Sequence, residues 1–521
     1  MATQIKKIIL KNFKKFKNFT IIPNDRINIL VGDNEVGKSS IIEAIDLVSG
    51  GNVHRVEAIG IDKLLNIDAV REFNQGERIF KNLPELIVEL YLDGDFDHTM
   101  NGKNNSLGVE CDGIRLVCAP NIDLISEITE LLELQSDYFP YDYYSIRFST
   151  FADEGYSGYK KKIKSVLIDS TNMNSEYATN DYIKRMYNQY TEDDINERAK
   201  HKNSYRLLKG AFRTESLQSL NQRIAADTKY SFGLKNGSSI KFENDLMIYD
   251  NEVGIDSKGT GMQVFIKTDF ALKRAGTNVD VILLEEPENH LSHVNLRKLI
   301  QSILKTQSGQ IFVTTHNSLI STRLELKNLL IIHENIGDSP VALINLDEDT
   351  AKYFQKAPVA NIIEFALSKR IILVEGPSEY MLFEKFYKKV AGHKPEDDGV
   401  NILDIRGLSF KRYLEVAKIL NSKVAVITDN DYDAQKNCVE KYAQFVDHVK
   451  IDVFYEQDNM KSTFEKVLFA DNQALCKNLF GDDAISYMLT NKTEVAYNLL
   501  NQDAEIVVPA YIKEAIKWIR K

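Results

Sequence analysis

Cysteine is scarce in this 521-residue sequence: Cys111, Cys118, Cys438 and Cys476 are the full set, with no C-x-x-C spacing and no histidine cluster beside them. That argues against a disulfide framework and against a zinc site. No apolar run approaches the ~20 residues that span a bilayer, and residues 1–17 carry lysines rather than a signal-peptide core, so a cytoplasmic protein is expected. Net positive charge is missing too. A formal charge of -10 argues against a generic polyanion binder. Local basic stretches exist at Lys6, Lys7, Lys11, Lys14, Lys15 and Lys17, at Lys160, Lys161, Lys162 and Lys164, and at Lys200, Lys202, Arg206, Lys209 and Arg213. Each reads as a solvated face unless the fold gathers several together. There is no serine, cysteine or histidine nucleophile constellation, no internal repeat and no low-complexity stretch.

What is present is enough apolar sequence, 43% of the residues, to build more than one core, so two domains are the natural expectation. The apolar run Ile27, Asn28, Ile29, Leu30, Val31 leads straight into Gly32, Asp33, Asn34, Glu35, Val36, Gly37, Lys38, Ser39. Ile41, Ile42, Ala44, Ile45 and Val48 then recur at helical spacing. Strand, glycine-bearing turn and helix are the context a phosphate loop requires. Backbone N–H groups from Gly32, Asn34, Gly37 and the helix start, with Ser40 just behind, would cradle the phosphates of ATP. Lys38 would reach the β- and γ-phosphates and the Ser39 hydroxyl would ligate Mg²⁺.

A second buried strand, Val279 to Leu284, ends in Glu285 and Glu286. Glu285 would help hold Mg²⁺ through water and Glu286 would polarise the water attacking the γ-phosphate. A third, Ile311 to Thr315, leads to His316, placed to sense the γ-phosphate. Between loop and acids lie Ser257, Lys258, Gly259, Thr260, Gly261, Met262 and Gln263. The order resembles the ABC-type ATPases of the RecF, SMC and Rad50 group. That resemblance implies that Ser257, Gly259 and Gly261 contact the γ-phosphate bound to a second copy, in a head-to-tail dimer. The signature departs from the LSGGQ wording, and Glu285 stands where most members carry aspartate. No sustained heptad repeat separates Ser39 from Ser257, so the long coiled coils of SMC and Rad50 are not expected. Residues 160–224 are rich in helix formers and free of proline, which predicts a helical insertion; in this architecture such an insertion commonly mediates dimerisation.

The C-terminal third begins anew after a polar connection at 347–370, which Pro358 interrupts. The strand Ile371 to Val374 ends in Glu375, Gly376, Pro377, Ser378, Glu379, with Tyr380, Leu382, Phe383 and Phe386 at helical spacing behind it. Glu375 therefore sits at a strand end and Glu379 in the first helical turn, facing one crevice. Another buried strand, Val424 to Thr428, ends in Asp429, Asn430, Asp431, Tyr432, Asp433. Alternate carboxylates at the end of a parallel strand suit magnesium, a hard cation that prefers oxygen ligands. The two motifs together resemble a Toprim domain.

An ABC-type ATPase followed by a Toprim domain resembles the OLD (overcoming lysogenization defect) family, which includes the nuclease subunit of the Gabija antiphage system and effectors encoded beside some retrons. Weaker supporting positions are Glu364 to Ala366, Gly407 to Phe410, Ser462 to Glu465, Lys492 with Ala496, and Val508 to Ile512. The resemblance implies that Glu375, Glu379, Asp429, Asp431 and Glu465 hold two divalent ions, Mg²⁺ or Mn²⁺, with Asp433 an outer ligand, and that Lys492 stabilises charge on the scissile phosphate. The implied activity is ATP-regulated two-metal cleavage of DNA, as the effector of an antiphage system. The implied partners are DNA, a second copy of the chain, and a helicase or a reverse transcriptase with retron DNA. The expected fold is α/β: an ATPase in two parts, 1–155 and 231–346, around a helical dimerisation insertion at 156–230, then a linker at 347–370 and a Toprim nuclease domain with a parallel sheet at 371–521. One alternative is an ATP-dependent DNA clamp or scaffold whose Toprim domain only grips nucleic acid. Another is a nucleotide sensor that binds ATP without appreciable turnover and holds the nuclease in check.

Overall fold

The computed structural model describes residues 3–134, 138–158, 162–169, 176–191, 194–235, 242–273, 279–289, 291–306, 309–333, 339–357, 361–407, 409–445, 447–502 and 505–521. The expected break at Pro358, the turn position Leu408 and the pair Lys160 and Lys161 lie outside these residues. The chain divides into two compact units: Met1–Leu30 with Asn34–Thr315 and Ile336–Ser339, and Val31–Asp33 with His316–Asn335 and Pro340–Lys521.

In the first unit, strands of six to ten residues form an antiparallel sheet in the order Phe16–Ile21, Gln4–Phe13, Leu86–Asp93, Cys111–Pro120, Tyr144–Thr150. A second set is parallel and runs Ser165–Asp169, Val281–Glu285, Gln310–Thr314, then Ile27 to Leu30. These short strands are apolar on both faces because helices cover both sides of a parallel sheet. The helix Lys38–Gly50 begins where the strand Ile27–Gly32 and its loop end, and buries Ile41, Ile42, Ala44, Ile45, Leu47 and Val48.

The stretch expected as a helical insertion is mixed. Ser165–Asp169 is a strand paired to Val281–Glu285, and the helices Glu176–Tyr190, Ile195–Thr214 and Gln218–Ala225 follow it. Glu176–Tyr190 packs inward through Tyr182, Ile183 and Met186, whereas Ile195–Thr214 has no buried residue.

The second unit holds four parallel strands in the order Val400–Asp404, Arg370–Val374, Lys423–Ile427, Ile451–Phe454. Its core joins Ile372, Val374 and Ile427 to Phe383 and Phe386 of the helix Pro377–Ala391 and to Ile512 and Ile516 of the helix Ala510–Arg520. Arg370–Val374 pairs with Val400–Asp404 on one side and with Lys423–Ile427 on the other. Strand order thus reverses between Arg370–Val374 and Lys423–Ile427, and in open parallel sheets ligands bind in the crevice beyond such a reversal.

Candidate metal and nucleotide sites

Glu375 and Asp429 stand at the C-terminal ends of those two strands, one residue beyond Val374 and two beyond Ile427. Gly376 caps the helix Pro377–Ala391, whose first turn carries Glu379. Each of Glu375, Glu379 and Asp429 offers a carboxylate oxygen, and these oxygens lie within 4.8 Å of one another. Burial, then the neighbouring carboxylates, pushes Asp429 up to about 8. Burial also pushes Glu379 up to about 7, with Glu465 and Glu375 adding to it, and raises Glu375, to which Asp431 contributes. Thr428 Oγ1 donates to Glu375 at 3.4 Å.

The surrounding loop is tied down by Asn430, which is 1% exposed. Its Nδ2 donates to the carbonyls of Glu456 (2.7 Å) and Asp458 (3.1 Å), and its own carbonyl accepts from Asn437. Asp431 is exposed at a backbone φ of 45°, its amide bonded to the Ser462 carbonyl at 3.2 Å. Asp433 is exposed and accepts from the Lys436 amide at 3.0 Å, so it also serves its own turn. Glu465, in the first turn of the helix Phe464–Asp471, is 3% exposed and pairs with Lys492 Nζ at 3.1 Å.

Five of the expected acids and Lys492 therefore gather round one crevice. Charge coupling joins Glu465 and Lys492 to Glu379 and Asp429, and Asp431 to Glu375. Tyr511 was given no role by sequence reasoning. It is buried, and its hydroxyl is held well above its ordinary range by burial and by the charges of Asp429, Glu379, Glu456 and Glu465. Its position in the second residue of an inward-facing helix was readable; its neighbours across the sheet were not.

In the first unit, Gly37 caps the helix Lys38–Gly50 at φ 102°, and a Cβ there would lie 2.6 Å from the Phe16 ring, so only glycine fits. Lys38 is buried, while Asn34 and Ser39 are exposed and Ser40 is half-buried. Ser39 hydrogen-bonds Glu285, whose carboxyl is nonetheless raised by burial and by the charges of Asp169, Glu286 and Glu43. The loop serine and the acid at the end of Val281–Glu285 thus meet, as an ATP–Mg²⁺ site requires. Glu286 has φ 42°; its amide donates to the Thr314 carbonyl at 3.1 Å and its carboxylate accepts from Asn289 at 2.8 Å. Asp169, which sequence reasoning missed, pairs in register with Glu285. Four apolar or small residues after a lysine run gave too short a signal for its strand. Ser257 and Gly259 are exposed at the start of the helix Thr260–Leu272, with Gly261 in its first turn. In the second unit, Gly32 is buried and His316 is exposed two residues beyond Thr314.

Comparison with known proteins follows the same division. The AAA ATPase domain model matches residues 4–320, and the model for the overcoming lysogenization defect protein-like TOPRIM domain matches 367–431. Endonuclease GajA of Bacillus cereus (strain VD045) is 27% identical over 221 residues, 40% of this chain and 37% of GajA. The DNA replication and repair protein RecF of Acetivibrio thermocellus is 42% identical over 64 residues, 12% of this chain and 17% of RecF. The matched segments therefore span well under half the length of these curated relatives. The solved C-terminal region of the Xanthomonas campestris pv. campestris OLD protein is 20% identical and covers 29% of this chain and 95% of that one, with a TM-score of 0.22. The ATPase model takes in more than half of the chain, so the chain belongs to the AAA ATPase domain family, and it carries an OLD-like Toprim domain after that ATPase.

Proposed function

We propose that the protein is an ATP-regulated, divalent-metal-dependent DNA endonuclease. The observation that carries this reading is the convergence of Glu375, Glu379 and Asp429, with Lys492 paired to Glu465 beside them. The donors are carboxylate oxygens, which suit Mg²⁺ or Mn²⁺ rather than soft metals. Burial first, and their mutual repulsion second, raise Asp429 and Glu379, and a bound cation would offset both effects. Glu375, Glu379 and Asp429 would hold two ions with Asp431 and Glu465, and Asp433 would serve as an outer ligand. Bound there, the ions would supply the charge that activates water and stabilises the leaving oxygen.

The chain's own groups prepare that chemistry. Glu379 and Asp429 release protons before they can act as ligands. Lys492, steered by the buried Glu465, presents its ammonium to the scissile phosphate. In the ATPase, Lys38 and the loop amides would bind ATP, Ser39 and Glu285 its Mg²⁺, and Glu286 the attacking water, while Ser257, Gly259 and Gly261 would serve the nucleotide on a second copy and His316 would sense the γ-phosphate. The homodimer fits the exposed Leu207 and Leu208 of the helix Ile195–Thr214. The domain limits 1–155, 156–230, 231–346, 347–370 and 371–521 and the cytoplasmic setting rest on the sequence pattern, with the strand Ser165–Asp169 belonging to the ATPase sheet rather than to a helical insertion, and the antiphage role and a helicase or reverse transcriptase partner rest on the family resemblance.

The test is cleavage of supercoiled and linear DNA with Mg²⁺ or Mn²⁺, with and without ATP. The reading expects metal-dependent cutting that Glu379→Ala and Asp431→Ala abolish and that ATP alters. Equal cutting by wild type and both variants would overturn it.

A further inference from the structure

The helix Ile195–Thr214 carries Arg198, Lys200, Lys202, Arg206, Lys209 and Arg213 against a single acid, Glu197. This excess belongs to a chain whose formal charge is -10. Arg198, Lys202, Arg206, Lys209 and Arg213 follow the spacing i, i+4, i+8, i+11, i+15. At 100° per residue they fall within an arc of roughly 80°, and at 1.5 Å per residue the stripe is about 22 Å long. Lys200 lies outside this arc, toward the other side of the helix. Lys202 pairs with Glu243 at 2.9 Å and Lys209 with Asp245 at 4.0 Å. Arg206 and Arg213 make no ion pair among the described residues, and both are exposed.

The stripe ends at an open hollow of about 630 Å³, lined by Arg213, Asn221, Lys229 and Tyr230 among others. Its far wall is fixed. Asn221 Nδ2 donates to the Phe232 carbonyl (3.0 Å) and its Oδ1 accepts from the Phe232 amide (2.8 Å), while Arg213 donates to Ser231 Oγ at 2.8 Å. This clamp holds two aromatic side chains toward solvent, Tyr230 at 80% and Phe232 at 60% exposure. A row of cations leading to exposed rings is the combination that binds a single strand: the cations follow the phosphates and the rings stack on bases that a duplex keeps hidden.

We propose that this stripe and hollow bind a single-stranded nucleic acid. No residue of this surface belongs to the carboxylate cluster, so it adds a recognition element whether or not the second unit cuts DNA. The choice of a strand over a second protein copy rests on charge complementarity: two identical cationic stripes repel, and a polyanion does not.

The experiment uses the whole 521-residue chain in EDTA, which silences metal-dependent cleavage and makes the result independent of the nuclease reading. Fluorescence anisotropy would follow a labelled mixed-sequence single strand, and a duplex of the same length, at stepped salt concentrations. Wild type should bind the single strand more tightly than the duplex. Arg206→Glu with Arg213→Glu should weaken single-strand binding at least 10-fold and flatten its salt dependence. Arg206→Glu alone touches no structural hydrogen bond and should weaken it in the same direction. Tyr230→Ala should cost the single strand roughly 5-fold or more and leave duplex binding unchanged. Lys200→Glu removes the same charge from outside the arc and should bind as wild type. The proposal is overturned if the arginine variants bind like wild type, if Lys200→Glu weakens binding as much as Arg206→Glu, or if Tyr230→Ala affects strand and duplex alike. It is equally overturned if the arginine variants change the protein's mass by light scattering, since the surface would then be a contact between copies.

Discussion

Lys492 Nζ stands 3.1 Å from Glu465 Oε2, and the two side chains are unequally exposed: the glutamate is 4% accessible, the lysine 49%. A buried anion thus steers a half-exposed cation whose charge also acts on Glu379 and Asp429. Because the ammonium reaches the crevice from a helix start at the surface, removing it should harm chemistry more than folding. Lys492→Ala is expected to lower DNA cleavage by about 10²-fold or more and, because it leaves Glu465 buried without this cation, to lower the melting temperature as well, by less than it harms cleavage. Single-turnover cleavage and thermal unfolding of the same preparation check both halves.

The raised acids give a pH signature. Glu379 and Asp429 sit at about 7 and about 8 in the folded protein, well above ordinary carboxylates. The folded state therefore holds more protons than the unfolded state between roughly pH 4 and pH 8. Stability of the metal-free protein should fall as pH rises through that window, and Mg²⁺ or Mn²⁺ should reverse the fall. Metal affinity should rise with pH over the same range, since protons compete for the ligands. Melting temperature against pH in EDTA, for wild type and Glu379→Gln, measures this; the variant should show a shallower decline.

Much of this site could be read from the chain because its parts are local. A run such as Ile371 to Val374 ending in an acid, or a glycine turn between strand and helix, declares itself through burial and backbone demands confined to a few residues. The phosphate loop, Glu375, Glu379 and Asp429 are of this kind. Asp169 was hidden because its strand is short, follows lysines and sits in a stretch otherwise rich in helix formers. Tyr511 was hidden because its partners lie on other elements. The arc of cations on Ile195–Thr214 needed the helix itself, since only a known helical register turns scattered lysines and arginines into one face.

Gly37 offers a backbone test of the nucleotide site. At φ 102°, with Phe16 against its α-carbon, Gly37→Ala is strained and crowded together. It should cost roughly 1–2 kcal/mol from conformation alone and abolish ATP binding. Denaturant unfolding and nucleotide titration, set beside Lys38→Ala, separate the effects: the lysine variant should lose binding with less loss of stability.

Asp46 tests the architecture behind the loop. Its carboxylate is fully buried on the helix Lys38–Gly50, ion-paired with Arg55 and, at 2.8 Å, with Arg185. The two arginines hold its protonation well below the usual carboxylate range despite the opposing effect of burial. Asp46→Ala removes the buried carboxylate that both arginines share and should cost about 3–5 kcal/mol. In wild type this stabilisation is present at neutral pH and is lost as pH falls below about 4, toward the depressed folded value. Urea unfolding of wild type and variant at neutral pH and near pH 3 should show the difference between them shrinking in acid.

The most direct test of the central claim is calorimetric titration of Mn²⁺ into nucleotide-free protein at pH 8, for wild type and for Asp429→Asn with Glu379→Gln. Saturable Mn²⁺ binding that the double variant loses, with its fold and ATP binding intact, is the predicted result. Equal Mn²⁺ uptake by both proteins would contradict the assignment of the carboxylate cluster as a metal centre.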